Sequence, residues 1–141
     1  MDEQHERVGY GHRPVDPVHP PGGSEFEAWR EAAADPPALV VQVGTTHLRY
    51  HLWCIDDLHR MLTDAGDWVA LGNADEQKQA KPDTVEAWGR AADNPVNGWY
   101  GLKKGLRGRF ANYVPPVLEV LGLAEVEHNP RNNRMRAVPK P

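Results

Sequence analysis

At 141 residues, with 40% apolar and 26% charged side chains, the chain suits one soluble globular domain, or one domain with a tail. Its single cysteine, Cys54, excludes an internal disulfide framework and a multi-cysteine zinc site. No run approaches the roughly 18 apolar residues of a membrane helix, the N-terminus lacks the basic-then-apolar order of a secretion signal, and a cytoplasmic location is expected. The net charge of −4 is unevenly placed: residues 83–141 hold nine Lys and Arg against six Asp and Glu, so the acidic excess lies before them. Such asymmetry marks either a footprint for a polyanion or a solvated surface with local ion pairs.

Residues 1–23, "MDEQHERVGYGHRPVDPVHPPGG", have no apolar period and read as a disordered arm. His5, His12 and His19 recur there every seven residues, but a flexible segment offers no preorganised surround for a metal, and no metal site is assigned. A first subdomain is expected over 24–72. "SEFE" has the form of a helix capping box at Ser24, with Phe26, Trp29 and Ala33 at helical spacing; a short strand competes, because Phe and Trp favour strands and "ADPP" stops the segment. "ALVVQVGTTHLRYHLW" predicts a hairpin turning at Gly44-Thr45, which pairs Val43 with Thr46, Val41 with Leu48 and Leu39 with Tyr50. His47 and His51 share its polar face about 13 Å apart, too far to chelate one ion. "IDDLHRMLTDAG" predicts a helix with acids at its start, an apolar stripe of Ile55, Leu58, Leu62 and Ala65, and Gly66 as its stop. "DWVALG" follows as a short strand or turn anchored by Trp68, and 73–82 reads as a polar connector.

A second subdomain is expected over 83–141. "DTVEAWGRAAD" predicts a short helix capped by Asp83 or Thr84. In "GWYGLKKGLRGRF" a helical wheel places Trp99, Leu102, Leu106, Phe110 and Tyr113 on one stripe, Lys103, Lys104 and Arg107 beside it, and Gly98, Gly101, Gly105 and Gly108 on a third face. This predicts a three-faced helix, in which each interior glycine costs about 0.8–1 kcal/mol. Three explanations of the glycines compete: close approach of another backbone, approach to a phosphate backbone, or a nest-like loop that holds an anion. The spacing is not that of a P-loop.

"PPVLEVLGLAEVEHNPRNNRMRAV" predicts a helix begun by proline, a Gly-Leu exit, a strand, a basic turn and a strand. From Asp83 onward this order resembles the recognition helix and wing of bacterial winged-helix regulators of the arsenic-repressor type. The resemblance implies three helices, a β-hairpin wing, and phosphate or minor-groove contacts from Arg131, Arg134 and Arg136. The chain departs from that pattern in its would-be recognition helix, which carries Glu119 and no Arg, Lys, Asn or Gln to read base edges. Glu125 and Glu127 also stand opposite Arg134 and Arg136, where ion pairing would use up the wing's charge. From Ser24 onward the chain is similar to an uncharacterised family of small actinobacterial proteins, through "ADPPALV", "DLH", "GDWV", "VEAWGR", "NGWYGLKKGLRGRF" and "RNNRMRA", which implies one folded unit and no chemistry.

No catalytic constellation emerges. Ser24 is the only serine, and Cys54, although near His51 and His59, falls where a free cysteine is ordinarily a buried hydrophobe. Asp75 and Glu76 read as solvated carboxylates on the connector; the five tryptophans read as core, with Trp99-Tyr100 as a possible base-stacking pair. The expectation is an α+β, non-catalytic binding protein without a cofactor. Its partner would be nucleic acid, held by Lys103, Lys104, Arg107, Arg109, Arg131, Arg134 and Arg136; the alternative is a protein-interaction adaptor on the same winged-helix scaffold.

Overall fold

A computed structural model describes residues 6–7 and 26–139 and gives an α+β fold. The expected arm over 1–23 lies outside the described residues except for Glu6–Arg7 (β1), whose backbone pairs with Trp29 and Arg30. β1 is followed by β2 (Glu27–Glu31), β3 (Ala38–Val43) and β4 (Thr46–His51) in one antiparallel sheet of that order. β3 and β4 pair in the register the alternation predicts, with Val43 opposite Thr46 and Leu39 opposite Tyr50. Gly44 turns the chain at a φ of 60°, which an L side chain disfavours.

The helix expected to begin at Ser24 is corrected to a strand, and Ser24 itself lies outside the described residues. Each residue of β2 pairs with β3, and the segment buries both of its faces: Phe26 and Ala28 enter the main core, whereas Trp29 packs with Ala38 and Val40 on the other side. A helix would bury one stripe only. The same two-sided burial explains why β3 begins as an unbroken apolar run rather than an alternating one.

Helix α1 (Cys54–Ala65) carries Asp56 and Asp57 in its first turn and buries Cys54, Ile55, Leu58, His59 and Leu62. Gly66 ends it at a φ of 70°, donating its N–H to the Leu62 carbonyl. In "DWVALG" the buried anchor is Leu71; Trp68 is half-buried. A second antiparallel sheet combines β5 (Val69–Ala70) with β6 (Ala124–Val126) and β7 (Arg134–Ala137) in the order β5-β7-β6. Between β5 and β6 come α2 (Val85–Trp88), capped by Thr84 Oγ1, α3 (Phe110–Tyr113), and α4 (Pro115–Val120), which starts on proline. One buried cluster joins both sheets and the helices, reaching from Leu39 and Tyr50 through Leu58, Tyr100 and Phe110 to Met135.

The three-faced helix expected over 98–113 is corrected: only its last turn, α3, is helical. Residues 100–102 cross the free edge of β4, where the His51 N–H donates to the Tyr100 carbonyl and the Leu102 N–H donates to the Arg49 carbonyl. Edge pairing gives these backbone groups partners without the helix cost of four glycines. It also turns Tyr100, which the helical wheel left off the apolar stripe, fully inward onto Trp88 and Phe110.

Candidate functional site

The glycine-rich crossing does not lie alone. The connector 73–82 runs against it, and each segment supplies what the other lacks. A Cβ on Gly108 would sit 2.3 Å from the Glu76 backbone nitrogen, so glycine is required there by the close approach of the chain's own connector. Arg109 N–H donates to the Ala74 carbonyl at 2.9 Å and its Nε meets Asp75 Oδ1. Between these anchors, residues 103–107 curl around the Glu76 carboxylate. Gly105 N–H lies 3.0 and 2.9 Å from its two oxygens and Arg107 N–H lies 3.0 Å from Oε1. Gly105 takes a φ of 94° to point its N–H inward, a conformation that glycine alone adopts readily. The nest-like loop weighed for this stretch is therefore the arrangement found, and its anion belongs to the chain.

The Glu76 side chain keeps only 11% of its surface exposed, so the expected pair of solvated carboxylates is corrected at this residue. Burial opposes charge on Glu76, but the N–H groups of Arg107 and Gly105 and the Arg107 guanidinium outweigh it and hold the carboxyl below its ordinary value. Asp75 is held low chiefly by its hydrogen bond from Arg109. An open depression of about 240 Å³ lies over this contact, lined in part by Asp75, Glu76, Gly105, Leu106, Arg109 and Tyr113.

Behind the loop, Arg90 donates to the carbonyls of Ala74, Asp75 and Lys78, and to Glu86 Oε2 at 2.6 Å. Glu86 is fully buried, and its second oxygen accepts the Ala111 N–H at the start of α3. The Trp99 ring carries the guanidinium carbons of Arg90 and Arg107 at 4.4 and 4.3 Å from its centroid. Tyr100 is buried and donates its hydroxyl to Asp57 Oδ2 at 2.8 Å. The stacking pair expected at Trp99-Tyr100 is thus already engaged within the protein.

The predicted cations divide between two loops that no ion pair or hydrogen bond joins among the described residues. On the glycine loop, Lys103 and Lys104 are exposed and carry no ion pair among the described residues, whereas Arg107 pairs with Glu76 and Arg109 with Asp75. On the β6–β7 hairpin, Arg131 is exposed and unpaired among the described residues. Arg134 forks onto Glu127 at 3.0 and 2.7 Å, and Arg136 Nε meets Glu125, the cross-strand pairing the register implies. Both guanidiniums also lie over Trp68, at 5.1 and 4.5 Å from its centroid. The residues missed from sequence are Glu76, Glu86 and Arg90. The available signal was the adjacent acids Asp75 and Glu76 on the connector, set against the basic loop.

Cys54 is wholly buried, and burial pushes its thiol up, away from the thiolate form that a nucleophile uses. His51 is shifted down by burial, against the pull of Asp57, and stacks on Trp53. Among the described residues no group of three His, Cys, Asp or Glu is placed to hold a metal ion, and no helix is long and apolar enough to cross a membrane.

Comparison with known proteins matches residues 7–138 to a family of unknown function, DUF6855. The chain belongs to this family. The match takes in every helix among the described residues and, but for Glu6, both sheets, so the glycine loop, its connector and the hairpin with Arg134 and Arg136 all lie inside the family's extent. No curated protein and no solved structure matches the chain.

Proposed function

We propose that this DUF6855 member is a non-catalytic binding protein on a winged-helix-like scaffold and that its partner is a protein rather than a nucleic acid. The scaffold reading is supported by the order α1, β5, three short helices, β6 and β7, with β7 between the other two strands. The partner reading rests on α4, the helix that would enter a groove. Its residues Pro115, Pro116, Val117 and Leu118 are buried, which leaves Glu119 and Val120 outward. Glu119 is tied to His128 at 2.7 Å, and Val120 is an exposed apolar side chain. Base edges are read chiefly by Arg, Lys, Asn or Gln, none of which this helix presents, and Glu119, the residue able to accept from a cytosine amine, is already held by His128. A small apolar contact facing solvent suits a protein surface instead. A cytoplasmic setting belongs to the same reading.

The second reading keeps nucleic acid as the partner, because Lys103, Lys104 and Arg131 are exposed and unpaired among the described residues. There Arg107, Arg109, Arg134 and Arg136 would have to leave carboxylates of their own chain before neutralising phosphates. A mobility-shift assay with random duplex DNA and random single-stranded RNA at low salt separates the two. The protein-partner reading expects no shift; a shift that falls when Lys103, Lys104 and Arg131 are changed to alanine, and falls again with added salt, overturns it. In the positive arm, a partner retained at high salt from native extract is expected to be lost from Val120→Asp.

A further inference from the structure

We propose that the loop 103–107 is a binding site for a phosphate monoester dianion, at present filled by the Glu76 carboxylate acting as a built-in competitor. The inference is independent of the partner class proposed above, because it concerns the group that fits one pocket of backbone donors.

The resident carboxylate leaves one of the donors around it unpaired. Three N–H groups converge on Glu76: those of Gly105 and Arg107 from the backbone, and the Arg107 side-chain Nε. Gly105 divides its hydrogen between the two oxygens, and Oε1 also takes the Arg107 backbone N–H. Arg107 Nε lies 3.3 Å from Oε2, yet it is a buried donor without a hydrogen bond. As placed, the carboxylate leaves Arg107 Nε without a hydrogen bond, whereas the three terminal oxygens of a phosphate monoester present one to each donor. A phosphodiester carries one negative charge, as the carboxylate does. Burying a donor unpaired is unfavourable, so the geometry favours the three-oxygen ligand over its present occupant.

Charge and access agree. Lys103 and Lys104 stand exposed on the loop, and with Arg107 they offset a double negative charge that one carboxylate does not require. Glu76 belongs to neither helix nor strand, and its contact opens to the depression lined by Leu106 and Tyr113; its side chain leaves by rotation, with no ladder broken. A tethered competitor holds a constant effective concentration of carboxylate at the site, so removing its charge tightens an added ligand.

The test is a titration of the full chain, followed by amide NMR, with methyl phosphate, dimethyl phosphate and acetate at matched ionic strength. Methyl phosphate is expected to move the Gly105 and Arg107 amides saturably, and to bind about tenfold more tightly to Glu76→Gln and Glu76→Ala, which remove the charged competitor. Arg107→Met is expected to lose the response. The proposal is overturned if these amides stay still in wild type and both Glu76 variants while the remaining spectrum is native. It is overturned equally if dimethyl phosphate or acetate moves them as effectively as methyl phosphate. Binding of methyl phosphate without a nucleic-acid shift leaves the protein-partner reading intact, so the two fail separately.

Discussion

The glycine loop and the β6–β7 hairpin both set arginines against carboxylates, and they differ in where the carboxylates come from. In the hairpin, Glu125 on β6 and Glu127 just beyond its end lie 11 and 7 residues from their partners, and the Arg134 side chain stays 50% exposed. In the loop, Glu76 comes from a connector 29 residues before Gly105, and rigid backbone donors grip it as well as an arginine. Strand register makes the hairpin's pairs a local matter, and water competes for them freely. The loop's contact exists only once the connector is laid against it, and there most of the water is gone. A cation next to an acid in sequence is thus a poor guide to which charge pair holds structure together.

The comparison is sharpened most by Glu86→Ala. Removing this buried carboxylate leaves the Arg90 charge with neutral carbonyls only and the Ala111 N–H without its acceptor. A loss of about 3–5 kcal/mol in unfolding free energy by urea titration is expected. Next comes Gly108→Ala, whose Cβ would meet the Glu76 backbone at 2.3 Å. That overlap is expected to cost about 1–3 kcal/mol and to perturb the Gly105 and Arg107 amides as the connector shifts away. Acid releases the same contact more gently. The folded Glu76 carboxyl lies below its ordinary 4.5, so its contribution is complete above 4.5 and is lost as pH falls through the folded value. The Gly105 and Arg107 amide shifts are expected to titrate together in that acid range. The smallest effect belongs to the hairpin: Arg136→Ala, which removes an exposed pair, is expected to leave the urea midpoint within error. A large loss there would erase the distinction between the two regions.

Legibility followed sequence separation. The β3–β4 register followed from alternation and one glycine, and α1 from its acidic first turn, its stripe and Gly66. The cross-strand pairs of Arg134 and Arg136 also followed from register alone. Around Phe26 the helical reading failed because both faces of β2 are covered, and nothing in five residues announces a second covering layer. Over 98–109 a helical period was present and misleading. Trp99 answers to two arginines, Leu102 packs with the outer cluster of the first sheet and Phe110 enters the core, so residues on one helical stripe serve three different places.

What the sequence by itself determined was the α+β class, the hairpin with its turn, helix α1, and the helix, strand, turn and strand of the C-terminal end. Each of these is set by residues within a few positions of one another. What only the tertiary structure decided was the role of the glycines in "GWYGLKKGLRGRF". Gly101 and Gly108 make room for chain that packs against them, and Gly105 turns its N–H onto a carboxylate. The nearest clue, Glu76, stands 29 residues away, and its meaning depends on a connector whose path is fixed by Arg90, Arg109 and the backbone carbonyls they hold. A glycine states that space is needed, and only the folded chain states what fills it.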